Sequence, residues 1–217
     1  MNTEAIEDYL KTIFEIQRTR GKVATSVLAK QLGIAPASVT GMIKRLSEMN
    51  LVTYQPYQGV RLTPAGKKIA LEVIRHHRLI ELFLKEALGV PWDKVHEEAE
   101  KWEHVLSEEL EERIDALLGY PTHDPHGAPI PDRDGKMPTS STTTIADLSP
   151  GSKATIVEVD DSDPELLRYL GTLALYPQTS LLVVAVAPFE GPITLQVEGK
   201  DIVLGRKVAE QIYVKNI

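Results

Sequence analysis

From Thr25 to Asn50 the apolar residues fall into two short helical registers separated by a tight break at Gly33-Ile34, and this pattern restricts the fold more than any other stretch. The second register carries Val39, Ile43 and Leu46 at helical spacing. Thr25 and Ser26 are favourable N-cap types, Ala29 is small enough for two helices to cross closely, and Gly33 suits a C-cap. Leu51-Val52-Thr53-Tyr54, a turn at Gln55-Pro56-Tyr57-Gln58-Gly59, and Val60-Arg61-Leu62 then predict a two-stranded wing. A winged helix-turn-helix is usually a DNA-binding device, although a minority bind only protein.

The second helix of that pair is chemically quiet. Pro36, Ala37, Ser38, Thr40 and Gly41 precede Lys44 and Arg45. Small residues permit close approach to a groove and offer thymine-methyl contacts and short hydroxyl bonds, without the bidentate Arg–guanine or Asn–adenine pairs of strong direct readout. Specificity is therefore expected to rest partly on DNA shape and half-site spacing, with Lys44, Arg45 and Arg61 on phosphates. The chain of 217 residues has 24 basic and 31 acidic residues, a net charge of −7. Through Arg75, however, it holds 11 basic against 6 acidic residues, a balance of +5, which leaves −12 for the remainder. The basic part contains the winged helix.

The acidic part opens with two unusual runs, His77-Arg78-Leu79-Ile80-Glu81 and His96-Glu97-Glu98-Ala99-Glu100-Lys101-Trp102-Glu103-His104. On one helix, residues 96, 100, 103 and 104 would fall at roughly 0°, 40°, −20° and 80°, so two histidines and two carboxylates share a side. His96 and His104 would be about 12 Å apart along the axis, too far for one ion with ligands at about 2 Å. That spacing predicts two separate metal sites. A single His-x-x-x-Glu is most often a solvated charged face; two such groups together point to metal.

Thr63-Pro64 predicts the start of a long helix that passes His77 and Glu81 and stops at Gly89. Asp93 can cap the next helix, and Ser107 a third that ends at Leu118-Gly119. Leu106, Leu110, Ile114, Leu117 and Leu118 form an apolar stripe on that third helix, which suits packing between subunits. Residues 121–147, with five prolines followed by Thr139-Ser140-Ser141-Thr142-Thr143-Thr144, have the composition of a linker. Beyond it, strands are expected at 154–159, 181–186, 193–197, 202–204 and 211–214, with a short helix over 166–175, as a small β-barrel.

No run approaches the roughly 18 apolar residues of a membrane span, and Met1-Asn2-Thr3-Glu4 is not a signal-peptide start, so a soluble, cytoplasmic protein is expected. Zero cysteines exclude disulfides, thiolate catalysis and Cys-type metal sites. Two rival classes remain. A metallohydrolase would need an open coordination position, a substrate pocket and a general base that the sequence does not mark. A metal-binding interaction protein would leave the winged helix unexplained.

Across essentially its full length the chain resembles the diphtheria-toxin-repressor family of metal-dependent transcriptional repressors, of the manganese-transport-regulator type. Glu7-Asp8-Tyr9-Leu10-Lys11-Thr12-Ile13 resembles the family's first helix, His77 to Glu81 its dimerisation motif, and Val95-His96 through Trp102-Glu103-His104 its metal helix. Leu148-Ser149-Pro150-Gly151-Ser152 and the Gly191-Pro192-Ile193 turn resemble the SH3-like domain shared with ferrous-iron transport accessory proteins.

The resemblance implies an α+β chain. Its parts are a winged helix-turn-helix DNA-binding domain at 1–72, a helical dimerisation and metal-binding domain at 73–120, a linker at 121–147 and a C-terminal SH3-like β-barrel at 148–217. It implies no enzymatic activity, a homodimer on palindromic operator DNA of metal-uptake genes, and two metal sites per subunit. The primary site would use Asp8, Glu100, Glu103 and His104, and the ancillary site His77, Glu81 and His96, with Asp161 as the nearest match to a ligand from the SH3-like domain. Hard carboxylates at Asp8 and Glu100, where iron-sensing members present sulfur, favour Mn(II) as corepressor; Fe(II) is the alternative, because O/N sites bind it at least as tightly. Lys11 stands where the best-known manganese regulators have a bridging glutamate, which favours two separated mononuclear sites over a close binuclear cluster.

Overall fold

The structure, a computed structural model, describes residues 3–21, 23–55 and 59–217, without the side chains of 19 and 20. Residues 56–58 of the expected wing turn lie outside the described residues, as do the first two residues of the expected soluble start. The chain divides into two compact units. One comprises residues 1–76, 103–106 and 131–136; the other comprises 77–102, 107–130 and 137–217.

In the first unit, α1 (Thr3–Arg20), α2 (Thr25–Leu32) and α3 (Pro36–Glu48) pack around Leu10, Ile13, Leu28, Val39, Ile43 and Leu46. The α2–α3 turn is built on Gly33, whose φ of 65° is the left-handed conformation open to glycine, and its N–H donates to the carbonyl of Lys30. The cap at the other end of α2 differs from expectation. Ala24 occupies the N-cap with no side-chain hydrogen bond, so Thr25 and Ser26 lie inside the first turn. Strands β1 (Val52–Gln55) and β2 (Gly59–Leu62) pair antiparallel from Val52–Leu62 to Gln55–Gly59. An isolated antiparallel bridge from Val23 to Val60 joins a third segment to β2, and Gln17 Oε1 accepts from the Leu62 N–H at 3.0 Å.

Helix α4 (Pro64–Leu88) begins as its Thr-Pro start predicts: the Gly66 N–H donates to Thr63 Oγ1 at 3.1 Å, and Thr63 Oγ1 donates to the Asn50 carbonyl at 2.7 Å. Gly66 lets the helix touch the wing. A Cβ there would sit 2.0 Å from the Leu51 carbonyl oxygen.

In the second unit, α5 (Val95–Trp102) and α6 (Glu108–Leu117) follow the latter part of α4. Ser107 caps α6 by accepting from the Leu110 N–H at 3.3 Å. The single-chain packing of α6 departs from its apolar stripe. Ile114 is buried beside Glu111 and Asp115, whereas Leu110 and Leu117 are 49% and 67% exposed.

The segment expected as a linker is only partly one. Asp124 to Pro131 are buried: Arg78 donates to the Pro129 carbonyl, and Asp124 Oδ1 accepts from the backbone N–H groups of His126 and Ala128 at 2.8 and 3.0 Å. Gly127, at φ 89°, permits this, because a Cβ there would lie 2.0 Å from the Val157 carbonyl oxygen.

The expected barrel strands form a five-stranded antiparallel sheet in the order β6-β5-β4-β3-β7, from β3 (Lys153–Val159), β4 (Ser180–Val186), β5 (Ile193–Val197), β6 (Lys200–Leu204) and β7 (Ile212–Asn216). Register shifts between Ile156 and Glu158 and between Val183 and Ala185 bend it. Its core face carries Ala154, Ile156, Leu181, Val183, Ile193, Leu195, Ile212 and Val214, covered by Leu166, Leu167 and Leu170 of α7 (Pro164–Thr172) and by Trp92. The short α8 (Arg206–Ala209) leads into β7. No helix among the described residues is long and apolar enough to cross a membrane.

Candidate metal centre

In the first unit, α1 meets the turn that follows α5. Helix α5 stops at Trp102, so Glu103 and His104 stand in a turn rather than on the helix face expected for them. The Glu103 carbonyl lies 3.0 Å from His76 Nδ1. The Glu103 side chain, 1% exposed, accepts from Lys11 Nζ at 2.7 and 3.0 Å. His104 Nε2 lies 2.9 Å from Asp8 Oδ1 and 3.4 Å from Glu103 Oε1, while its Nδ1 is 2.6 Å from Glu7 Oε2. A histidine whose one nitrogen is held by a carboxylate presents the other in a fixed direction, the usual orientation of a metal-ligating imidazole. Asp8, Glu103 and His104 thus converge as a three-ligand set. Burial disfavours the His104 charge, but the Glu7 hydrogen bond and the carboxylates of Glu103, Asp8 and Glu7 outweigh it and raise its pKa above the ordinary histidine value.

In the second unit, His77, Glu81, His96 and Glu100 gather between α4 and α5. His77 Nε2 is 3.0 Å from both Glu81 Oε1 and His96 Nδ1, and His96 Nδ1 is 3.2 Å from Glu81 Oε1. Glu100 Oε1 stands 3.7 Å from His77 Nδ1 and from His96 Nε2. Glu81 is fully buried. Desolvation would raise its pKa, yet the charge and hydrogen bond of His77 and the hydrogen bond of His96 hold it well below the carboxylate range. The hydrogen bond to Glu81 likewise raises His96.

The other Glu81 oxygen faces a third set, made with Asp124, His126 and Asp161. His126 Nδ1 is 3.8 Å from Glu81 Oε2 and 3.7 Å from Asp161 Oδ2. Its Nε2 lies 2.8 Å from the Trp92 carbonyl, which can only accept, so Nε2 carries a hydrogen and Nδ1 is the nitrogen that faces the carboxylate oxygens. Glu81 Oε2, Asp124 Oδ2 and His126 Nδ1 are buried without a hydrogen-bond partner. Burial, then the neighbouring Glu81 charge, push the Asp124 carboxyl up to about 7 against the opposing pull of Arg78. Converging acceptors with orphaned atoms and no cysteine are the donor chemistry of an O/N-coordinated divalent cation.

Asp124 and His126 were not among the sequence candidates, since their segment had the composition of a linker. The Asp-x-His spacing inside that proline-rich stretch was the one available signal.

On the winged helix, Pro36, Ala37, Ser38, Gly41 and Lys44 are exposed along α3, Arg45 is half-buried, and Arg61 is exposed on β2. The Thr40 hydroxyl donates to the Pro36 carbonyl at 3.0 Å, which engages its one donor within the helix.

Comparison with known proteins matches residues 1–60 to the iron-dependent repressor N-terminal DNA-binding domain, 63–132 to the iron-dependent repressor metal-binding and dimerisation domain, and 143–216 to the FeoA domain. The chain is 28% identical to the diphtheria toxin repressor of Corynebacterium diphtheriae, over 99% of this chain and 98% of that protein. A solved manganese-dependent transcriptional repressor in complex with manganese is 38% identical, with a TM-score of 0.91 over 98% of this chain and all of the other. The repressor ScaR with bound Zn2+ is 33% identical, with a TM-score of 0.81 over 98% of this chain and 99% of the other.

Proposed function

Because the chain belongs to the iron-dependent repressor family of metal-dependent transcriptional repressors, we infer that it is a Mn(II)-responsive repressor of metal-uptake genes, acting as a homodimer on palindromic operator DNA. The observation that carries this reading is the convergence of Asp8, from the first helix of the DNA-binding domain, with Glu103 and His104 from the metal-binding domain. All three offer oxygen or nitrogen, a set that favours Mn(II) over softer ions; Fe(II) is the second reading, supported by the iron-dependent relatives. Each subunit loads in two regions, one at Asp8, Glu103 and His104, the other around Glu81 with His77, His96, Glu100, Asp124, His126 and Asp161.

A bound divalent ion supplies the positive charge that lets these carboxylates stand together. Asp8 then fixes α1 against the Glu103–His104 turn, and α1 in turn carries the α2–α3 pair through the core of Leu10, Ile13 and Leu28. The exposed Pro36–Gly41 face of α3 enters the major groove, with Lys44, Arg45 and Arg61 on phosphates. Without the ion, like charges loosen the α1 attachment, and the two reading heads of the dimer lose the spacing of about 34 Å that one DNA turn demands.

The test is fluorescence anisotropy on upstream DNA, in chelator and then with Mn(II), Fe(II), Co(II) or Zn(II) under anaerobic conditions. Binding that appears at low Mn(II) and requires much more of the other ions is expected. Asp8→Ala is expected to abolish metal-dependent DNA binding while leaving the dimer intact. Full metal-dependent binding by that variant would remove the mechanism.

A further inference from the structure

The structure assigns a further role to Lys11: we propose that it is a tethered cation that occupies Glu103 in the metal-free protein and competes with the divalent ion, setting the metal level at which the repressor loads. The inference rests on the reading of Asp8, Glu103 and His104 as a metal centre. Glu103 is the most buried carboxylate of that centre, and both its oxygens accept from the Lys11 ammonium, at 2.7 and 3.0 Å. The oxygen at 3.0 Å, Oε1, is also the one 3.4 Å from His104 Nε2, so the ammonium and an incoming ion address the same donor atom. Lys11 is itself 8% exposed, one helical turn from Asp8 on α1. The pair is therefore held out of water at both ends.

A buried carboxylate that has lost its hydration requires a positive partner, and removing that partner leaves an uncompensated charge. In this protein Lys11 provides it. An ion arriving at Glu103 gains only the difference between its own attraction and that of the ammonium, and the lysine charge then stands beside the ion it yielded to. The consequence is a centre that is satisfied when empty and weakened as a metal site. Such a repressor stays off DNA until the ion is abundant, and a neutral side chain at position 11 would lower that threshold.

The experiment compares the full-length wild type with Lys11→Met, Lys11→Gln and the charge-conserving Lys11→Arg, with His104→Ala as the reference that disables the centre. Mn(II) affinity is read by the loss of the free-ion EPR signal, and the Mn(II)-induced rise in Tm by calorimetry, both without DNA. Lys11→Met and Lys11→Gln are expected to bind Mn(II) about 10- to 100-fold more tightly at the component that His104→Ala removes, the range that loss of one adjacent unit charge gives at intermediate dielectric. They are also expected to melt lower without metal and to show a larger Mn(II) shift, whereas Lys11→Arg stays near wild type. Unchanged or weaker binding in both neutral variants, with metal-free and metal-loaded Tm lowered alike, would make Lys11 a structural support and overturn the competition. If His104→Ala removes no component of Mn(II) binding from the wild type, the metal-centre reading itself fails, and the role of Lys11 with it.

Discussion

At the scale of single residues, the candidate ligands stand out in the sequence, because histidines and carboxylates at helical spacing are conspicuous in a chain without cysteine. Helical spacing marks His96, Glu100, Glu103 and His104 as candidates, and the resemblance groups Glu100 with Asp8, Glu103 and His104, whereas the structure sets Glu100 3.7 Å from His77 and His96. The partners that tune them were not legible. Glu7 on His104 and Lys11 on Glu103 are contacts across more than ninety residues. Three raised pKa values give a direction for pH. His104, His96 and Asp124 all bind their protons more tightly folded than unfolded, so each contributes stability that is present below the unfolded pKa and lost as pH rises through the folded one. Between pH 5 and 8 the metal-free protein should therefore become less stable, and the gap between Mn(II)-loaded and metal-free Tm should widen. Calorimetry with and without Mn(II) across that range checks this; a gap that narrows would contradict it. His126→Ala should lower occupancy of the Glu81-centred region and leave the Asp8–Glu103–His104 component unchanged, which stoichiometric Mn(II) titration would read.

At the scale of elements, the helix-turn-helix was the most readable part. Val39, Ile43 and Leu46 recur at the helical period and are all fully or nearly fully buried. Leu46→Ala should cost about 2–5 kcal/mol, as large-to-small core changes do, measured by urea unfolding. Gly66→Ala should be destabilising despite the higher helix propensity of alanine, because its Cβ would strike the Leu51 carbonyl, which is backbone and cannot swing aside. A variant as stable as wild type would mean that the wing can retreat from α4. The end of α5 and the burial of 124–131 were misread for one reason. Local composition describes what a segment can do unaided, whereas His76 holds the Glu103 carbonyl, and Arg78 and Asp124 hold the proline-rich backbone.

At the scale of the whole molecule, α6 turns Leu110 and Leu117 outward, and Trp102 and Tyr120 are also exposed. An exposed apolar set on the domain matched as metal-binding and dimerising suits cover by a second subunit, which a substitution on α6 tests. Leu117→Glu is expected to shift sedimentation toward monomer and to weaken operator binding even at saturating Mn(II). A dimer that persists in Leu117→Glu and Leu110→Glu together would place the interface elsewhere. Arg61→Ala should weaken DNA binding and reduce its salt slope by about one contact; an unchanged slope removes the wing contact.

What the sequence determined by itself was periodic or compositional. The two helical registers around Gly33, the alternating strands of the C-terminal sheet, the split of charge between the halves and the His/Glu spacing are local properties that the backbone repeat converts into faces. Only the tertiary structure decided which candidate ligands converge and which partner faces each buried carboxylate. It paired Lys11 with Glu103, brought Asp124 and His126 to Glu81, and left Glu100 with His77 and His96. Those choices depend on desolvation and on distances between residues far apart in the chain, and neither quantity is written in any local stretch of it.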